Sequence, residues 1–209
     1  MKKMLMTLML AVFLIIPLET VALAQPAEAS LPEGSAELFV HGNVPAQTDL
    51  ADSMTPALHA VVLAMVNHEV ESFSAENTDL AWESLYNMVS LYGQMDNRSD
   101  YQGEDLLLPS ESVSDYSSAL FSAPLSAEAP EALADRMVYQ PESDSWLVVC
   151  GEDGLSEVRI SDVSTLDDVI YVSGELIYLV DDSALAQFEA VLLPQDNLLG
   201  CTLISLALI

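Results

Sequence analysis

Positive charge is what this chain most lacks. Its 209 residues carry 5 lysines and arginines against 33 aspartates and glutamates, for a formal net charge of −28. Binding to nucleic acid or to an anionic lipid surface draws on clustered cations that neutralise phosphates, so the charge excludes both as electrostatic partners. Cysteine is nearly as scarce. Cys150 and Cys201 are the only two, too few for a disulfide framework. Both fall in segments read as strands, and a single disulfide and a pair of buried thiols are both compatible with that placement. Histidine occurs only at positions 41, 59 and 68. His68-Glu69 opens like the zinc-protease helix motif, but Ser72 stands where the second histidine belongs. His59 and His68 are nine residues apart on one expected helix and face opposite ways, so they cannot share a metal. There is no Gly-x-Ser-x-Gly elbow, phosphate loop or dinucleotide fingerprint. The sequence therefore nominates no catalytic residue, cofactor or metal ligand.

What is present begins with a targeting pattern. Lys2 and Lys3 precede an apolar run from Met4 to Ile16, then Pro17 and the small-residue stretch Val21-Ala22-Leu23-Ala24. Ala22 and Ala24 fit the two small pockets of a signal peptidase, so residues 1–24 read as a signal peptide cleaved before Gln25. The run falls short of the roughly 20 residues that span a bilayer. The expected product is secreted, with no membrane segment in the mature form and with Arg98, Arg136 and Arg159 as its remaining lysine or arginine side chains. Residues 25–52, broken by Pro26, Pro32 and Pro45, read as an extended, mobile leader whose one apolar cluster is Leu38-Phe39-Val40.

Half of the sequence, 51%, is hydrophobic, enough for residues 53–209 to bury the core of one domain. Thr55-Pro56 starts a helix with proline at its first position, and Leu58, Val61, Val62, Met65 and Val66 follow at helical steps. A second helix starts near Asn77, with Trp82, Leu85, Met88, Val89 and Tyr92 on one face and Glu83, Ser84 and Asn87 on the other. Gly93 is its expected stop. Pro109-Ser110 signals a third, with Val113, Tyr116, Leu120 and Phe121. From Met137 the period becomes strand-like: 137–140, 146–150, 155–163, 169–180, 186–193 and 199–208, parted by turns such as Asp167-Asp168 and Asp181-Asp182. Helices followed by short-looped strands predict an α+β domain, with about three N-terminal helices on a curved antiparallel sheet of five to six strands. By analogy this order is cystatin-like or NTF2-like.

The acidic loop Asp96-Asn97-Arg98-Ser99-Asp100-Tyr101 alternates carboxylates as a calcium loop does. Tyr101 and Leu107 replace the glycine and the bidentate glutamate of an EF-hand, which leaves a solvated loop or a weak site of another kind. Leu108-Pro109, Tyr116, Ala119-Leu120-Phe121, Trp146 and the final run Leu199-Gly200-Cys201-Thr202-Leu203-Ile204-Ser205 resemble uncharacterised exported proteins of Gram-positive anaerobes. That resemblance implies an organisation and no mechanism. The residues together predict a secreted, strongly acidic, non-enzymatic binding domain whose partners are cationic proteins, cationic peptides or metal ions. The alternative is an extracellular hydrolase using a carboxylate pair that only the fold assembles. Trp146, Tyr171 and Tyr178 read first as core aromatics, with the lining of a concavity of the sheet as the alternative, and are named as no site.

Overall fold

A computed structural model of the chain describes residues 47–122, 125, 129–150 and 154–209. The signal segment, Ala22, Ala24, Gln25, Leu38-Phe39-Val40 and His41 lie outside these residues. Helix α1 (Gln47–Ser53) begins inside the stretch read as leader. Its Ala51 is buried, and Ser53 donates from Oγ to the Leu199 carbonyl at 2.5 Å. Met54, itself helical in backbone, joins it to α2 (Thr55–Asn67), so Thr55 opens the helix without serving as its cap.

Helix α2 is apolar almost all round because it is covered on several sides. It packs on α3 (Thr78–Tyr92) and on the strands of the larger sheet described below. It ends in a Schellman turn: the Val70 N–H reaches the Met65 carbonyl at 3.0 Å, and Glu69 takes the left-handed conformation, φ 54°, where glycine is usual. Helix α3 is capped by Asn77, whose side-chain oxygen accepts from Leu80 N. Two residues of its expected polar face are buried: Ser84 donates to the Leu80 carbonyl and Asn87 to the Ala60 carbonyl. Gly93 does not stop this helix through a left-handed bend. It continues at φ −61° into a 3-10 turn, Gly93–Met95. The glycine is there for space, since a Cβ would lie 2.9 Å from both Leu106 and Leu108.

The single sheet of five to six strands expected from the sequence divides into two antiparallel sheets of four. The smaller has the order β1-β2-β4-β3, from β1 (Asp100–Gln102), β2 (Asp105–Pro109), β3 (Met137–Gln140) and β4 (Ser145–Val148). The acidic loop after α3 thus supplies β1, and the short apolar run Leu106–Leu108 that follows it forms β2, neither of them expected from the sequence. Helix α4 (Ser110–Leu120) leaves β2 directly, and its Ser110 N–H is held by the Asp144 carbonyl in the β3–β4 turn.

The larger sheet is a meander in chain order, of β5 (Ser156–Leu166), β6 (Val169–Tyr178), β7 (Ser183–Pro194) and β8 (Cys201–Leu208). A bulge interrupts each of its three pairings, at Ile160/Asp162, Leu176/Ile177 and Val191/Leu192, and bulges increase strand bend and twist. Asp167 and Asp168 make the two-residue β5–β6 turn, both with positive φ, as a type I′ hairpin requires. The helices lie between the sheets. Helix α2 packs on β5, β6 and β7, α4 on β8 and β2, and Trp82 of α3 meets Trp146 of β4 at 5.8 Å between ring centroids. All described residues belong to the unit Gly42–Ile209. None of the described helices is long and apolar enough to cross a membrane.

Candidate functional site

Alternation along the larger sheet sends Ile170, Val172, Leu176, Phe188, Ala190, Leu192 and Leu206 into the core. Their neighbours form the helix-free face. Register then sets out two rows across the strands. Ser164, Tyr171, Val191 and Ser205 make one; Asp162, Ser173, Glu189, Ala207 and the bridging Ser72 make the next. Because most of these side chains are short, the face holds a groove of about 540 Å³, lined by Ser164, Tyr171, Ser173, Glu189, Val191 and Ser205 among others. Tyr171 is 42% exposed there. Asp162 and Glu189 stand on strands two spacings apart, roughly 10 Å at the usual strand separation.

Of the three aromatics read as core or as the lining of a concavity, Tyr171 alone stands among the described groove residues. Trp146 is packed between Trp82 and Tyr139 of the smaller sheet, and Tyr178 pairs with Ser183 at the far end of β6.

A second concavity, of about 530 Å³, opens where α3, its 3-10 turn, α4 and the β7–β8 connection meet. Met88, Met95, Pro56, Leu198 and Leu199 form its apolar lining, and Asp96, Arg98 and Asp115 its polar side. Arg98 grips Asp96 in a fork, through Nε at 3.0 Å and Nη2 at 2.8 Å, and reaches Asp115 through Nη1 at 2.8 Å. That guanidinium is the main reason the Asp96 carboxyl titrates at about 2. The loop read as a possible calcium ligand set is therefore organised around its own arginine. Among the described residues no group of three or more His, Cys, Asp or Glu side chains converges to hold a metal ion.

The other two arginines are also held by acids. Arg136 pairs with Glu83 at 2.9 Å and lies over the Tyr86 ring; Arg159 pairs with Glu157 and Asp182, each at 2.7 Å. Among the described residues, the carboxyls with displaced pKa values move down: Asp96 beside Arg98, Asp144 beside the Ser110 and Tyr139 hydroxyls, and Asp181 beside Ser183. A general acid requires the opposite displacement. Asp167, Asp168 and Asp182 serve hairpin turns, each with positive φ. Cys150, half-buried, and Cys201, buried, are both free thiols, raised in pKa by burial.

One polar chain was not anticipated. His59 is 2% exposed, with Nδ1 at 2.5 Å from the Tyr92 hydroxyl and Nε2 at 2.9 Å from the Ser156 hydroxyl, so it ties α2 to α3 and β5. Burial lowers its pKa to about 4, against a smaller opposing pull from Glu157. The available signal was a histidine inside a helix apolar on nearly every side. His68, at the end of the same helix, is exposed. No protein-family model, curated protein or solved structure matches the chain.

Proposed function

We propose that the chain is an exported, strongly acidic, non-enzymatic binding domain, and that its ligand is a cationic peptide segment of a partner protein seated in the groove on the helix-free sheet face. The observation that carries this reading is the groove's own composition. An exposed Tyr171 stands beside Glu189, with Asp162 in the same register row, and the described arginines are held by carboxylates. A lysine or arginine side chain laid across Tyr171 gains a cation–π contact and covers its aliphatic stem, while its charge meets a carboxylate. The net charge of −28 steers such a segment toward the protein and repels polyanions, through a field that salt screens within about 8 Å at physiological strength.

A test must separate the groove from the general negative charge. Asp162→Asn/Glu189→Gln and Glu131→Gln/Glu142→Gln remove the same charge, the first pair from the groove lining (Glu189) and the register row that runs through it (Asp162), the second from exposed positions of another region. Affinity for a lysine-rich decapeptide is to be measured at about 0.15 M salt, where distant charges are screened. The groove pair should weaken binding about tenfold and the control pair less than about twofold, with Tyr171→Ala siding with the groove pair. Equal losses in the two double variants would reduce the interaction to net charge and remove the groove from it.

A further inference from the structure

The pocket around Arg98 takes no part in that reading, and its chemistry differs from the groove's. Three of the five guanidinium N–H groups are spent, two on Asp96 and one on Asp115, which leaves two with no described protein acceptor. Met88, Met95, Leu198 and Leu199 line the same concavity, and two of these stay open to solvent, Met95 at 68% and Leu198 at 49% exposure. Large apolar side chains left wet around a concavity mark a surface that gains by being covered, and methionine adapts its shape to what covers it. The volume of about 530 Å³ suits a small organic molecule.

The charges on the polar wall decide which kind. Two carboxylates face one guanidinium, so an anionic ligand meets net repulsion. A cationic ligand would compete with Arg98 for the same two acids. A neutral carbonyl or amide oxygen accepts from the two unspent N–H groups and meets neither obstacle. We propose that this pocket binds a small neutral ligand, an apolar body carrying a carbonyl or amide oxygen, with the oxygen on Arg98 and the body between Met88, Met95 and Leu198. The site is independent of the sheet groove, and either can fail without the other.

The test uses the full chain with methyl-labelled methionine, observed by NMR. Three matched probes share one aromatic body: N-acetylphenylalaninamide is neutral, N-acetylphenylalanine anionic and phenylalaninamide cationic. The neutral probe should give saturable shifts confined to the Met88 and Met95 methyls, with both charged probes at least about tenfold weaker. Arg98→Lys keeps the charge but not the paired N–H groups and should lose about tenfold in affinity. Leu198→Asp, at an exposed position, should do the same without touching the ion pairs, so the idea stays testable if Arg98→Lys does not fold. The proposal is overturned by no saturable shift at millimolar probe, by three probes that bind alike, or by undiminished binding in Leu198→Asp.

Discussion

Acidification bears directly on His59. The imidazole is held between two hydroxyls in the core, and burial lowers its pKa from 6.5 to about 4, with Glu157 opposing only in part. In the unfolded chain it titrates near its ordinary value. Between those two pH values the unfolded state takes up a proton that the folded state refuses, so stability falls as pH drops through 6.5 and the loss stops growing below 4. At roughly 1.36 kcal/mol per pKa unit, the loss is about 2 kcal/mol at pH 5 and about 3 kcal/mol below pH 4. Protonating carboxylates relieves the self-repulsion of so acidic a chain and acts in the opposite direction. The measurement must therefore be a difference between proteins. His59→Gln keeps a donor and an acceptor but does not titrate, and both proteins are to be unfolded in urea from about pH 7.5 to 4 at fixed salt. Wild type should lose about 2 kcal/mol more than the variant by pH 5. Parallel profiles, or an NMR titration of His59 with its midpoint at about 6 or above, would refute the buried, neutral histidine.

Three further outcomes follow from backbone conformation and packing. Glu69→Gly should raise stability by about 0.5–1 kcal/mol in urea unfolding, because a left-handed position in the α2 Schellman turn, φ 54°, is held by a residue with a Cβ. Asp167→Asn/Asp168→Gly places the favoured type I′ pair in the β5–β6 turn and should raise the thermal midpoint by a few degrees. Gly174→Ala should cost about 2–3 kcal/mol, since the new Cβ would lie 2.7 Å from both the Arg159 carbonyl oxygen and the Phe188 ring, and the backbone of one and the full burial of the other leave little room to yield. An unchanged unfolding midpoint in Gly174→Ala would show that β6 can move away from β5 at that point.

The helices were legible where a local signal and a tertiary demand agreed. Pro56 lies in the first turn of α2, Asn77 caps α3, and the meander from Ser156 to Leu208 follows the alternation and turn chemistry of its sequence. The sequence misled where packing overrode periodicity. Ser84 and Asn87 look like a polar face, yet each spends its polar group on a helix carbonyl and is buried under neighbours. The strands β1 and β2 were hidden because each is short: β1 has three residues, two of them polar, and the three leucines of β2 are too few to show a strand period. Division into two sheets was not readable at all, for pairing β2 with β4 joins segments separated by α4, and no local pattern encodes that separation. The groove was partly readable, through Tyr171 as an aromatic on a strand. Its depth was not, because it comes from the register that sets Ser164, Ser173 and Ser205 on one face. The pocket around Arg98 was unreadable for the same reason, since Asp96, Asp115 and Leu198 come from three separate connections and elements.

Each described arginine joins elements that the hydrophobic core alone would hold less firmly: Arg98 links the loop after α3 to α4, Arg136 links α3 to the smaller sheet, and Arg159 links β5 to the β6–β7 turn. Among the described residues, positive charge is thus used locally, on five ion pairs with named carboxylates, and the remaining acids contribute to the field that an approaching molecule meets. The two pairs of Arg159 are exposed at both ends and stabilise by less than about 1 kcal/mol each, so their effect on the total stability is small beside their effect on where charge is left over. The Arg98 pocket sets one guanidinium with spare N–H donors among two carboxylates and an apolar lining, whereas the sheet groove has carboxylates in its register rows and no arginine among its described lining residues. The two concavities therefore differ by the placement of a single guanidinium, which the first contains and the described lining of the second lacks.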